Sequence, residues 1–206
     1  MRMRRYLRKM LEEGDALGEF STPIPWPSVW LFAKFAYCAE QFGYRYAGLA
    51  TGVPADLRPP LHTFRRLPDA RRRAERTGRD YPGALRGGRL PGMYPWPVPL
   101  IARGPARREV RLLHARIKAD YFGVVGREPV RGLAFKVFAV VMVAVLVSGG
   151  VGEPLVFVAA GGLAAALILL IVFSKVFMRR RRASYLRLLA REGIQWPPPA
   201  TALPER

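Results

Sequence analysis

The side chains that could carry chemistry are few. His62, His114 and Cys38 are the only imidazoles and the only thiol among 206 residues, and no glycine-rich phosphate loop accompanies them. A Cys-His nucleophile or a metal centre would have to be assembled from almost nothing. His114 falls in a helical stretch, where a lone histidine reads as a surface or packing residue. The adjacent carboxylates Glu12 and Glu13 follow Arg4, Arg5, Arg8 and Lys9, and charge pairing along a helix accounts for them. No catalytic residue, metal, cofactor or small-molecule substrate is expected, and the chain reads as non-enzymatic. A single cysteine forms no intramolecular disulfide, so nothing depends on an oxidising compartment.

Arginine supplies the remaining chemistry. Arg65, Arg66, Arg71, Arg72, Arg73, Arg76 and Arg79 lie within fifteen residues, dense enough to neutralise several phosphates in a salt-dependent way. No zinc-finger spacing, helix-turn-helix pattern or RNA-binding aromatic motif goes with them. Anionic lipid or an acidic face on a partner protein explains the same charges, so nucleic acid is the less favoured partner. A second basic run, Arg179, Arg180, Arg181 and Arg182, follows a long apolar segment.

These groups are positioned by a chain whose charge and apolar residues separate sharply. The formal net charge is +19 although half of the residues are hydrophobic. Residues 1 to 130 hold 24 basic and 12 acidic side chains, whereas Val137 to Ser174 has Glu153 as its one charge. Such segregation excludes a disordered chain and speaks against an ordinary soluble enzyme. The arginine-rich and acidic first twenty residues lack the apolar core of a secretory signal peptide.

Two apolar spans, 133–152 and 155–174, are each long enough to cross a hydrocarbon core of about 30 Å. The expected fold is therefore mainly α: a two-helix transmembrane hairpin over 131–178, a basic, proline-rich, partly helical cytoplasmic arm over 1–130, and a short charged helix with a proline-rich tail over 179–206. Helices are expected near 2–17, 28–49 and 106–122. Nine prolines from Pro54 to Pro99 make 51–102 an extended segment that gains order on a partner. The aromatic run from Val29 to Leu49 fits either a small core or a membrane interface.

Basic residues flank the outer ends of the spans and none lies between them, which places both termini in the cytoplasm. Lys136 and Lys175 would snorkel to lipid headgroups beside Arg179 to Arg182. Ala144 and Ser148 on the first span, with Gly161, Gly162, Ala165 and Ala166 on the second, permit close helix packing. The functional expectation is an accessory or scaffold subunit of a cytoplasmic-membrane complex, in contact with anionic lipid and other protein subunits. The alternatives are a membrane-tethered nucleic-acid binder, for DNA transfer or segregation, and a homo-oligomeric pore or effector.

Overall fold

The computed structural model describes residues 2–24, 28–50, 61–94, 101–125 and 154–198, with the single positions 135, 136, 139, 140 and 143. They fall into two compact units, one built from residues 1–121 together with 185–206 and the other from 122–184.

The first unit begins with α1 (Arg2–Leu17), which buries Met3, Leu7 and Met10, one apolar face at helical spacing. Strand β1 (Glu19–Thr22) follows. Helix α2 (Val29–Gln41) buries Phe32, Phe35, Tyr37 and the small residues between them. It does not continue to Leu49 as the aromatic run suggested. Gly43, at φ +90°, turns the chain into strand β2 (Tyr44–Leu49), and a Cβ there would lie 2.3 Å from the Cα of Ala70. Only glycine combines that dihedral with that approach.

Strand β3 (His62–Arg66) lies between β1 and β2 in an antiparallel sheet of order β1-β3-β2. The register places Phe20, Phe64 and Tyr46 in one row, and this row faces α2. The Phe64 ring meets Phe35 edge-on at 5.4 Å and Phe32 at 5.9 Å, the geometry aromatic quadrupoles favour. The aromatic run of 29–49 is therefore the core of a small domain rather than a membrane-facing surface. By the strand period of two, the neighbouring row, Glu19, Arg65 and Arg45, lies on the opposite face.

Helix α3 (Ala70–Asp80) anchors through Ala70 and through Thr77, whose hydroxyl donates to the Gln41 carbonyl at 2.6 Å. The turn that follows is held by Arg4 of α1, whose guanidinium donates to the carbonyls of Ala84, Gly87 and Gly88. Helix α4 (Gly104–Val125) adds Val110, Leu113 and Ile117 to the core, and its His114 stacks on Trp30 at 4.2 Å. The region read as an arm awaiting a partner thus has its own core. Its strands are four to six residues long, too short to stand out among prolines. Residues 51–60 and 95–100 of that proline-rich stretch lie outside the described residues.

Helix α5 (Pro154–Arg191) runs unbroken for 38 residues. It joins the expected second span to the charged helix after it, because nothing between Ser174 and Lys175 breaks a helix. The expected two-helix transmembrane hairpin is overturned: among the described residues one helix, over Ala160–Arg191, is long and apolar enough to cross a membrane. Most of 133–152 lies outside the described residues. In the second unit Val158, Leu163, Leu169, Leu170 and Phe173 of α5 are exposed. The final turns of the same helix belong to the first unit, where Leu189 is fully buried.

Candidate functional site: a charged cleft beside strand β2

The first unit contains a cleft of about 1040 Å³ where β2, β3, α4 and residues 194–198 converge. Its walls carry the arginines Arg45, Arg65, Arg66 and Arg116 and the glutamates Glu19, Glu40 and Glu109. No ion pair within 4 Å joins any two of these seven among the described residues; Arg66 pairs instead with Asp15 at 2.9 Å. Trp196, Ile194 and Leu112 supply apolar surface.

Each charged group has a definite origin. Glu40 sits on the last turn of α2, a mostly apolar helix that carries it into the domain. Its Oε1 is buried with no hydrogen-bond partner among the described residues, and burial raises its pKa against the opposing pull of Arg116 and Arg45. Arg116 projects from α4 with its Nε equally unpartnered. Burial, then the Arg45 charge, lowers its pKa, while Glu40 acts in the other direction. Its guanidinium lies 5.4 Å from the centre of the Trp196 ring, a cation-π contact. Arg45 and Arg65 stand directly opposite on adjacent strands, an arrangement that costs energy when no anion lies between them.

Behind the cleft lies a polar network. The Asp120 carboxylate accepts from the Tyr46 hydroxyl at 2.8 Å and from the Trp196 indole at 2.8 Å. Since that proton goes to the carboxylate, Tyr46 must accept from the Nδ1–H of His62, 2.9 Å away. The His62 Nε2 is then a buried acceptor without a described partner, and burial holds this imidazole neutral, with its pKa pushed down to about 4. Burial, then Asp120, raises the Tyr46 phenol well above its usual value. A phenol and an imidazole locked in these forms fix the geometry of the wall rather than exchange protons at neutral pH.

The basic cluster seen in the sequence is divided by the fold. Arg65 and Arg66 alternate across β3, so only Arg65 shares the Arg45 face. Arg71, Arg72, Arg73, Arg76 and Arg79 lie on α3, where Arg71 pairs with Glu75, Arg73 with Asp69 and Arg76 with Asp80. Arg72, Arg76 and Arg79 form one exposed stripe opposite the buried Ala70 and Thr77. In the second unit Lys175 is buried, Arg179, Arg180 and Arg181 are exposed, and Arg182 lies beside Gly123. Lys136 is exposed. Around Gly161 and Gly162 an added Cβ would meet no described atom within 4 Å, and Ala165 and Ala166 are exposed; Ala144 and Ser148 lie outside the described residues. Among the described residues no group of His, Cys, Asp and Glu is placed to hold a metal.

No family model matches the chain, and neither a curated protein nor a solved structure shows similarity to it.

Proposed function

We propose that the protein is a non-catalytic subunit of a cytoplasmic-membrane complex, with the exposed apolar face of α5 as its contact with the membrane and the domain formed by 1–121 and 185–198 on the cytoplasmic side. The observation that carries this reading is the continuity of α5. One helix presents exposed Val158, Leu163, Leu169, Leu170 and Phe173 and also ends in the domain core at Leu189. A contiguous apolar face of this kind is stable against lipid or another protein, not against water. Arg179 to Arg182 follow its apolar stretch and favour the cytoplasmic face, where anionic lipid attracts them.

The stripe Arg72, Arg76 and Arg79 is the surface offered to an acidic face on a neighbouring subunit. Nucleic acid is less well supported, because no zinc-finger spacing, helix-turn-helix pattern or RNA-binding aromatic motif accompanies these arginines in the sequence. A photo-crosslinking side chain introduced at Arg71, beside this stripe, tests the reading in native membranes. A discrete protein adduct that disappears in the Arg72→Gln/Arg76→Gln/Arg79→Gln variant is the expected result. No adduct, or one removed by nuclease, would overturn it.

A further inference from the structure

The cleft beside β2 combines features that a purely structural charge cluster lacks. Of the four arginines that line it, Arg45, Arg65 and Arg116, from β2, β3 and α4, have no ion pair within 4 Å among the described residues, and Arg45 and Arg65 stand opposite each other on paired strands. Each leaves guanidinium N–H groups that suit the oxygens of a phosphate. Glu40 enters from α2 with a buried, unpartnered Oε1, which asks for a donor. The rest of the wall carries Glu19 and Glu109 beside the apolar Trp196, Ile194 and Leu112, and the volume, about 1040 Å³, exceeds what a bare ion would fill.

We propose that this cleft binds a zwitterionic phosphate ester of the phosphoethanolamine type, with the phosphate among Arg45, Arg65 and Arg116 and the ammonium on Glu40. The ester carbons then lie along Trp196, Ile194 and Leu112. Arrangement of both charges in one ligand satisfies the arginines and the buried carboxylate together, which neither a simple anion nor a simple cation does. The same chemistry is offered by a soluble phosphoethanolamine ester and by the headgroup of an aminophospholipid. The inference stands apart from the docking of α3 on a partner, because it needs only the full-length chain itself.

Calorimetric titration of the detergent-solubilised full-length protein tests it, with inorganic phosphate, glycerophosphoethanolamine and a short-chain phosphatidylethanolamine as probes. Wild type should bind glycerophosphoethanolamine or the short-chain lipid at least tenfold more tightly than inorganic phosphate. Binding of the lipid alone identifies a membrane source, and equal binding of both identifies a soluble one. Arg65→Gln should weaken the preferred probe by at least tenfold. Glu40→Gln should abolish the preference for the amine-bearing probes while keeping the weak affinity for inorganic phosphate, a split that misfolding cannot produce. Absence of binding by wild type, or a preference that survives Glu40→Gln, would overturn the proposal.

Discussion

Trp196 donates its indole N–H to Asp120 at 2.8 Å, although the whole of the apolar helix α5 lies between them in the chain. The same ring stacks on Tyr46 at 5.8 Å, and Arg108 of α4 pairs with Glu192 just beyond α5. Residues before and after the apolar segment therefore build one domain, so both flanks belong on one side of any membrane that segment enters. Trp196→Ala removes the ring, the cation-π partner of Arg116 and the Asp120 hydrogen bond. It should destabilise the domain by roughly 2–4 kcal/mol, read by chemical denaturation of the full chain in detergent, while Trp196→Phe, which keeps the stack, should cost less than half as much.

Gly43 is the point on which the domain turns from helix to sheet. Gly43→Ala forces a Cβ onto the Ala70 backbone at a positive φ, and a cost of roughly 3 kcal/mol or more is expected. Gly78→Ala, on α3 with open space around it, should by contrast stabilise by a few tenths of a kcal/mol up to about 1. Paired melting curves of the two variants check both signs.

Acid should weaken the fold. His62 has its folded pKa lowered to about 4 from an ordinary 6.5, so the unfolded chain takes up a proton first as pH falls. The stability this neutral imidazole contributes is complete above about pH 6.5 and is lost progressively down to about pH 4, amounting to roughly 3 kcal/mol. Glu40, with its pKa raised, works in the opposite sense and favours the folded state once protonated. His62→Phe should flatten the loss between pH 7 and 4 in denaturation curves, and Glu40→Gln should raise stability at pH 7. His114, lowered likewise to about 4 by burial and then by the Lys118 charge, sustains part of the loss in that variant, and a steeper acid loss in His62→Phe would contradict the assignment of His62 as a buried neutral group.

The two basic runs should separate by effect. Changing Arg179, Arg180, Arg181 and Arg182 together to Gln removes charges worth about 1 kcal/mol each near an anionic surface, and should reduce the membrane-bound fraction of the protein. Changing Arg72, Arg76 and Arg79 to Gln should leave that fraction unaltered if their stripe, opposite the buried Ala70 and Thr77, serves a protein partner and not lipid. Fractionation of cells expressing each variant distinguishes the two.

Much of the helical structure was legible in the sequence because its signals repeat. Met3, Leu7 and Met10 mark α1, and Val110, Leu113 and Ile117 mark α4, each at spacings of three and four. The sheet was hidden because alternation needs several residues to show. In β2, Tyr44 and Tyr46 continue the aromatic pattern of α2, and Gly43 alone marks the change. In β3, Arg65 and Arg66 look like part of one basic cluster until the strand sends them to opposite faces. The cleft was less legible still. Glu40 reads as a stray charge in an apolar run and Arg116 as one more surface arginine; only the packing of α4 beside α2 brings them to one wall.

One folded domain, made of residues on both sides of α5, is proposed to occupy the cytoplasmic face of the membrane. This placement is tested most directly by labelling intact cells with an impermeant maleimide, using Arg72→Cys and Arg191→Cys separately in a Cys38→Ala background, which removes the buried native thiol. Both new cysteines should stay unlabelled until the membrane is permeabilised and then react fully. Labelling of both in intact cells would place the domain on the opposite side, and labelling of one but not the other would show that the two flanks of α5 do not share a domain.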